Sequence, residues 1–253
     1  MDRRNFFKKT AIAGAATLFI PEIVNSSSIA EAFSGDVKKY AFPAGATCLF
    51  QGDSITDNGR IREDENEANK QSQLGNGYVL FTSASILANH ADKDLKIYNR
   101  GISGNKVFEL ARRWEKDCIM LQPNILSILI GVNDFWHAKQ WNYDGTVETY
   151  ENDYRNLIAD TLKKLPETYI VICEPFIIHG GSALDETWEP QFAQFREVAK
   201  KIASDFNLAF VPFQSVFNEA LKKAPSTYWS PDGVHPSMAG GQLMAQTWLK
   251  TVF

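Results

Sequence analysis

The sequence predicts an α/β fold, a parallel sheet with helices on both faces. Three observations predict it. Short apolar segments of strand length recur along the chain, and segments with apolar residues at helical spacing separate them. One strand segment, Ile125-Leu126-Ser127-Ile128-Leu129-Ile130, is a continuous run of the kind found in strands covered on both sides. The 253 residues, 44% hydrophobic and 22% charged, suffice for one sizeable core and are short for two.

The first thirty-odd residues read as an address and not as part of the fold. Asp2-Arg3-Arg4-Asn5-Phe6-Phe7-Lys8-Lys9 is a basic head, Thr10 to Ile20 is uncharged and rich in Ala, and polar residues then lead to Ala30-Glu31-Ala32. That is the order of an export signal with a small-residue cleavage site. Arg3-Arg4 with Phe6 resembles a twin-arginine signal, although Asp2 and Phe7 depart from the commonest residues at their positions. Residues 1–32 are therefore expected to direct export to the periplasm or the medium, and residues 33–253 to form the folded domain.

Ala46 to Phe50 is the first strand candidate, and Tyr78, Phe81, Ile86 and Leu87 mark a helix over 78–89. Leu95 to Asn99 is the next strand, followed by a helix carrying Val107, Leu110, Ala111 and Trp114 on one face. After the run at 125–130 comes a helix over 147–165, with Tyr150, Tyr154, Leu157, Ile158 and Leu162 at helical intervals. Strand 168–173, helix 192–206, strand 208–211 and a final helix from about Ser237 to Leu249 complete the alternation. Right-handed crossovers would place every strand C-terminus along one edge. The segment Asp57 to Gly77, charged and poor in apolar residues, is expected to be a solvated surface loop.

Composition narrows the function. A formal charge of -4, with Lys and Arg spread along the chain, offers no stripe for a phosphate backbone, so no nucleic-acid partner is expected. Cys48, Cys118 and Cys173 make neither a CxxC pair nor an even disulfide framework and read as buried thiols. No apolar run approaches the roughly 20 residues of a spanning helix, so no stable membrane insertion is expected.

Chemistry in such a sheet belongs in the loops after the strands, and four loops carry unusual residues. Gln51-Gly52-Asp53-Ser54-Ile55-Thr56-Asp57 would expose a serine hydroxyl at the sheet edge. Asn99-Arg100-Gly101-Ile102-Ser103-Gly104-Asn105 lets a backbone N–H approach a ligand. Gly131-Val132-Asn133-Asp134-Phe135-Trp136-His137 offers a neutral amide donor suited to an oxyanion. Asp232-Gly233-Val234-His235 can hold an imidazole by one nitrogen while the other faces a nucleophile. Each alone is a common turn or cap. Together they supply a nucleophile, an acid–base pair and anion donors on one sheet edge, the parts needed for acyl transfer. Asp53, His137 and Glu174, at the same edge, are candidates for contact with substrate.

Gly52-Asp53-Ser54, Gly104, Asn133 and Asp232-x-x-His235 resemble, in order and approximate spacing, the four sequence blocks of the SGNH or GDSL-type hydrolases. The resemblance covers nearly the whole chain beyond the leader. It implies a three-layer α/β/α sandwich, flavodoxin-like, with a five-stranded parallel sheet and neither metal nor organic cofactor. It also implies roles: Ser54 the nucleophile, His235 the base and acid, Asp232 the group orienting the imidazole, and Ser54 N–H, Gly104 N–H and the Asn133 side chain the oxyanion hole. Thr56 stands where the α/β-hydrolase elbow has its second glycine, which favours the SGNH resemblance.

The activity expected is esterase chemistry through an acyl-enzyme, with an O-acetyl group on carbohydrate as the favoured substrate. Export would place the enzyme among glycans, and no long apolar segment suggests a lipid-binding lid. The polar and aromatic residues His137, Trp141, Tyr143, His179, Trp188, Tyr228 and Trp229 could stack on sugar rings. A lysophospholipase or thioesterase would share every catalytic residue. A flavin- or phosphate-binding module of the same fold would leave Asn133 and the Asp232/His235 pair without work. Oligomeric state is not legible.

Overall fold

The structure is a computed structural model that describes residues 22–26, 39–63 and 65–253. Among the described residues, strands β1 (Thr47–Gly52), β2 (Lys96–Asn99), β3 (Ile125–Leu129), β4 (Tyr169–Cys173) and β5 (Ala209–Val211) form one sheet. Its order is β2-β1-β3-β4-β5, and every neighbouring pair is parallel. The expected sandwich is therefore present. Strands β1, β3 and β4 are buried along nearly their whole length, which is why they read as apolar runs without alternation.

Helices α1 (Ser54–Asp57), α2 (Gln71–Leu74), α3 (Tyr78–Asn89), α4 (Val107–Asp117), α5 (Val132–Gln140), α6 (Val147–Lys164), α7 (Gln191–Asp205), α8 (Phe213–Ala220), α9 (Ser226–Trp229) and α10 (Met238–Val252) fill the connections. Helix α10 packs on α3, and α6 packs on α4 and α7. The chain runs from β1 outward to β2, then crosses back past β1 to β3. Right-handed crossovers put the helices of these two directions on opposite faces. The reversal makes a crevice beyond the C-terminal ends of β1 and β3, where an open α/β sheet presents its ligand site. Ser54 follows β1 there, and Asn133 follows β3.

The central strand carries a polar staple. Ser127, wholly buried in β3, accepts a hydrogen bond at 2.9 Å from the indole N–H of Trp248 on α10, which ties the sheet to a fully buried indole. At the end of β1, Gly52 lies so close to the Leu129 carbonyl and the Thr56 side chain that no Cβ fits. The turn into α1 therefore runs flush against the end of β3. Cys48, Cys118 and Cys173 are buried and free.

The structure differs from the sequence reading over 57–77. The segment is packed down: Asp57, Arg60, Gln73 and Leu74 are buried, and Arg60 Nε donates to the Gly101 carbonyl at 2.8 Å. Asn69 pairs with the outer strand as another strand would. Its N–H donates to Ile97 O at 3.0 Å, its side-chain oxygen accepts from Ile97 N at 2.8 Å and its side-chain amide donates to Leu95 O at 2.7 Å. A charged, apolar-poor segment can thus cover a sheet edge through hydrogen bonds, which periodicity does not register.

Most of the expected leader lies outside the described residues. Of residues 1–32, only 22–26 are described: they form a turn with Ile23 and Val24 buried, and Lys250 Nζ donates to the Val24 carbonyl at 2.6 Å. Among the described residues no helix is long and apolar enough to cross a membrane.

Candidate active site

Three side chains from two ends of the chain meet above the crevice. Ser54 Oγ lies 2.8 Å from His235 Nε2, and His235 Nδ1 lies 2.6 Å from Asp232 Oδ2. The Asp232–His235 half is built locally. Asp232 Oδ1 accepts the N–H groups of Val234 at 2.9 Å and of His235 at 2.7 Å, together with the Ser230 hydroxyl at 3.0 Å. One carboxylate oxygen thereby shapes the turn and leaves the other for the imidazole. A strip of chain holds this loop over the sheet: Ile178 N–H donates to Gly233 O, Ser182 N–H to Pro231 O and Ala183 N–H to Asp232 O.

The serine side is arranged by Asp53. As N-cap of α1 it accepts the Ile55 N–H on Oδ1 at 3.0 Å. That satisfies the donor after Ser54 and leaves Ser54 N–H without an acceptor among the described residues. Gly104, at φ +82, likewise has an unpaired N–H, and its open left-handed turn is a conformation that other residues reach only at a cost. Asn133 Nδ2 gives one hydrogen to the Asn105 carbonyl at 3.2 Å, and its second amide hydrogen is not engaged by that bond. Ser54 N–H, Gly104 N–H and the second Asn133 amide hydrogen are thus donors left over by the fold, of the type an oxyanion accepts.

The family model for GDSL-like lipases and acylhydrolases matches residues 50–243, a span holding all five of these residues. The chain belongs to that family. An acetylxylan esterase from Geobacillus stearothermophilus is 36% identical over 213 residues, which are 83% of this chain and 94% of that enzyme. A GDSL-like protein from Parabacteroides merdae superposes with a TM-score of 0.83 at 53% identity, covering 85% of this chain and 99% of its own. The crystal structure of Axe2, an acetylxylan esterase from G. stearothermophilus, superposes at 0.74 with 34% identity, covering 83% and 95%.

In this GDSL-like hydrolase the electrostatics favour an ion pair. Burial opposes charge on Asp232, but the hydrogen bonds from His235 and from the His235 and Val234 N–H groups outweigh it and hold the carboxyl well below the usual range. The same bond to Asp232 raises the His235 imidazole above its ordinary value, with desolvation in opposition. Beneath the site lie two buried carboxyls, Asp53 and Asp134, whose burial pushes each up to about 7. Each keeps one oxygen, Oδ2, without a hydrogen-bond partner among the described residues, and the Asp53 charge adds to the rise at Asp134.

The residues expected at the substrate are distributed differently. Asp53 is 1% exposed and caps α1. Glu174 accepts the Gln214 N–H on Oε2 at 2.9 Å, which caps the start of α8. His137 stays beside the site, and its Cε1 is the nearest atom on the open side of Gly104. Of the aromatic residues, Trp188 and Trp229 are core, Tyr143 is half-buried, and Trp141, Tyr228 and His179 are exposed. Among the described residues no group of His, Cys, Asp and Glu is gathered as metal ligands would be.

Sequence reasoning missed the supports. Asp57 Oδ2 accepts both the N–H of Ser103 at 3.0 Å and its hydroxyl at 2.7 Å, which fixes the residue before Gly104. Arg113 on α4 donates to Gln51 Oε1, Arg100 O, Asn105 Oδ1 and Asp117 Oδ2, all within 3.0 Å. One guanidinium thus joins β1, the glycine loop and α4. The i, i+4 spacing of Arg113 and Asp117 was visible in the sequence, but its loop partners were not.

Proposed function

We propose that this chain is a serine esterase that removes O-acetyl groups from carbohydrate through an acyl-enzyme. The observation that carries the reading is the continuous chain Ser54 Oγ, His235, Asp232, with contacts of 2.8 and 2.6 Å, next to unpaired N–H donors. Ser54 Oγ attacks the ester carbonyl while His235 Nε2 takes its proton. The carbonyl π bond becomes an oxyanion held by Ser54 N–H, Gly104 N–H and Asn133. Collapse expels the sugar alkoxide, which leaves with the proton from His235. Water then repeats the sequence on the acetyl-enzyme, giving acetate and free Ser54. Asp232 keeps the imidazole in one tautomer and stabilises its cation in both steps.

The substrate class rests on the acetylxylan esterase relatives at 33% to 36% identity. Their structures include catalytic mutants at a serine, an aspartate and a histidine. A lysophospholipase or thioesterase would prefer long acyl chains, and a screen of acetyl against medium-chain esters separates them. Ser54→Ala is expected to lose at least about 10³-fold in kcat on 4-nitrophenyl acetate with an unchanged melting temperature. An organophosphonate should add its mass to wild type and not to the variant. A variant as fast as wild type would remove the mechanism. Export follows from Arg3-Arg4 and the apolar segment behind them, and blocked export of an Arg3→Lys, Arg4→Lys fusion would support it.

A further inference from the structure

One row of helix α5 leads outward from the oxyanion donor. Asn133 and His137 stand at i, i+4 on one face of α5, and Trp141, its C-cap, follows with its ring against that of His137. His137 Nδ1 lies 3.2 Å from Lys106 Nζ, and that nitrogen brings only donors, so Nδ1 must accept. Lys106 cannot readily swing away. It is nearly buried, pairs with Glu109 at 2.9 Å and sits against the rings of Phe108 and Tyr143. The neutral imidazole therefore carries its hydrogen on Nε2, which has no hydrogen-bond partner among the described residues. Desolvation and the Lys106 charge, opposed by Glu109, lower the His137 pKa, which favours the neutral ring. The ring edge lies beside Gly104. Beyond it Trp141, 56% exposed, stands edge-to-face with His137 at 4.7 Å and is backed by Trp136 at 5.3 Å. An indole braced on one side and open on the other, next to a fixed neutral donor, suits a ligand with alternating C–H faces and hydroxyls.

We infer that His137 and Trp141 form the subsite for the sugar leaving group, Trp141 stacking on the ring and His137 Nε2–H donating to a sugar oxygen next to the acetyl ester. This rests on the proposed function and adds the direction in which the glycan lies: along α5, and not over the exposed Tyr228 that precedes the triad loop.

The test measures kcat and KM of wild type, Trp141→Ala, Trp141→Phe, His137→Ala and Tyr228→Ala on an O-acetylated xylo-oligosaccharide and on 4-nitrophenyl acetate, which has no sugar. Trp141→Ala is expected to lower kcat/KM on the oligosaccharide about tenfold more than on the aryl ester, mainly through KM, with Trp141→Phe restoring most of it. His137→Ala should discriminate in the same direction. Equal effects on both substrates, no effect, or a larger discrimination by Tyr228→Ala would overturn the subsite. A wild type that cleaves the aryl ester and leaves the acetylated sugar untouched would instead remove the substrate class, and the subsite with it.

Discussion

Ser54 has no special chemistry of its own, and in the proposed mechanism its reactivity is conferred by two neighbours with opposite tasks. His235 must be neutral to take the serine proton, yet Asp232 raises its pKa by stabilising the cation. kcat/KM should therefore fall as pH drops through a value above that of an ordinary imidazole. Asp232→Asn should move this acid limb downward while lowering kcat by up to about 10⁴-fold. A limb that stays in place, read from a pH–rate profile, would show that some other group titrates. Asn133 is tested separately. In the proposed mechanism its amide serves the oxyanion and not the proton, so Asn133→Ala should cost about 10²–10³ in kcat, leave KM nearly unchanged and leave the pH limb where it was. A loss confined to KM would place Asn133 on the ground-state substrate.

At the scale of elements, the site depends on how three loops are clamped together. Asp53 turns β1 into α1, Asp57 pins Ser103 beside Gly104, and Arg113 braces both loops from α4. Arg113 is the most connected of these, and its guanidinium is largely desolvated among paired acceptors. Removing it leaves Asp117, the Arg100 carbonyl and the side-chain oxygens of Gln51 and Asn105 without this donor. Arg113→Ala should destabilise the protein by about 3–5 kcal/mol in urea unfolding, and Arg113→Lys should recover only part of this because an ammonium cannot reproduce the planar fork. Full recovery by Lys would mean that charge alone matters there. The sequence made the long elements legible, since α3, α4, α6, α7 and α10 carry their periodicity in ten or more neighbouring residues and the buried strands β1, β3 and β4 show as short apolar runs. The four-residue helices α1, α2 and α9 are too short to show a period. In α5 the pattern is broken by polar residues such as Asn133 and Asp134, which are buried on the site side.

For the whole molecule, the buried carboxyls under the crevice set a pH window. Asp53 and Asp134 titrate near 7 in the folded chain and near 4 when unfolded, so between those values the native state holds the extra protons. Their contribution to stability is fully present below about pH 4 and is lost as pH rises through about 7. Thermal melts should fall from about pH 4 to about pH 7 and level off above, and Asp134→Asn, which keeps the oxygen that accepts from Val107 N–H, should flatten the fall. An equal slope in wild type and variant would place the effect elsewhere. By itself the sequence determined the strand and helix alternation, the motif order and the Asp232-to-His235 spacing, because each depends on residues close along the chain. Only the tertiary structure decided that Asp53 is buried as a cap, that 57–77 packs against a sheet edge, and that Lys106 faces Nδ1 of His137. Those outcomes depend on which distant groups come within hydrogen-bond reach and which oxygens lose their water, and both are set when the sheet closes under its helices.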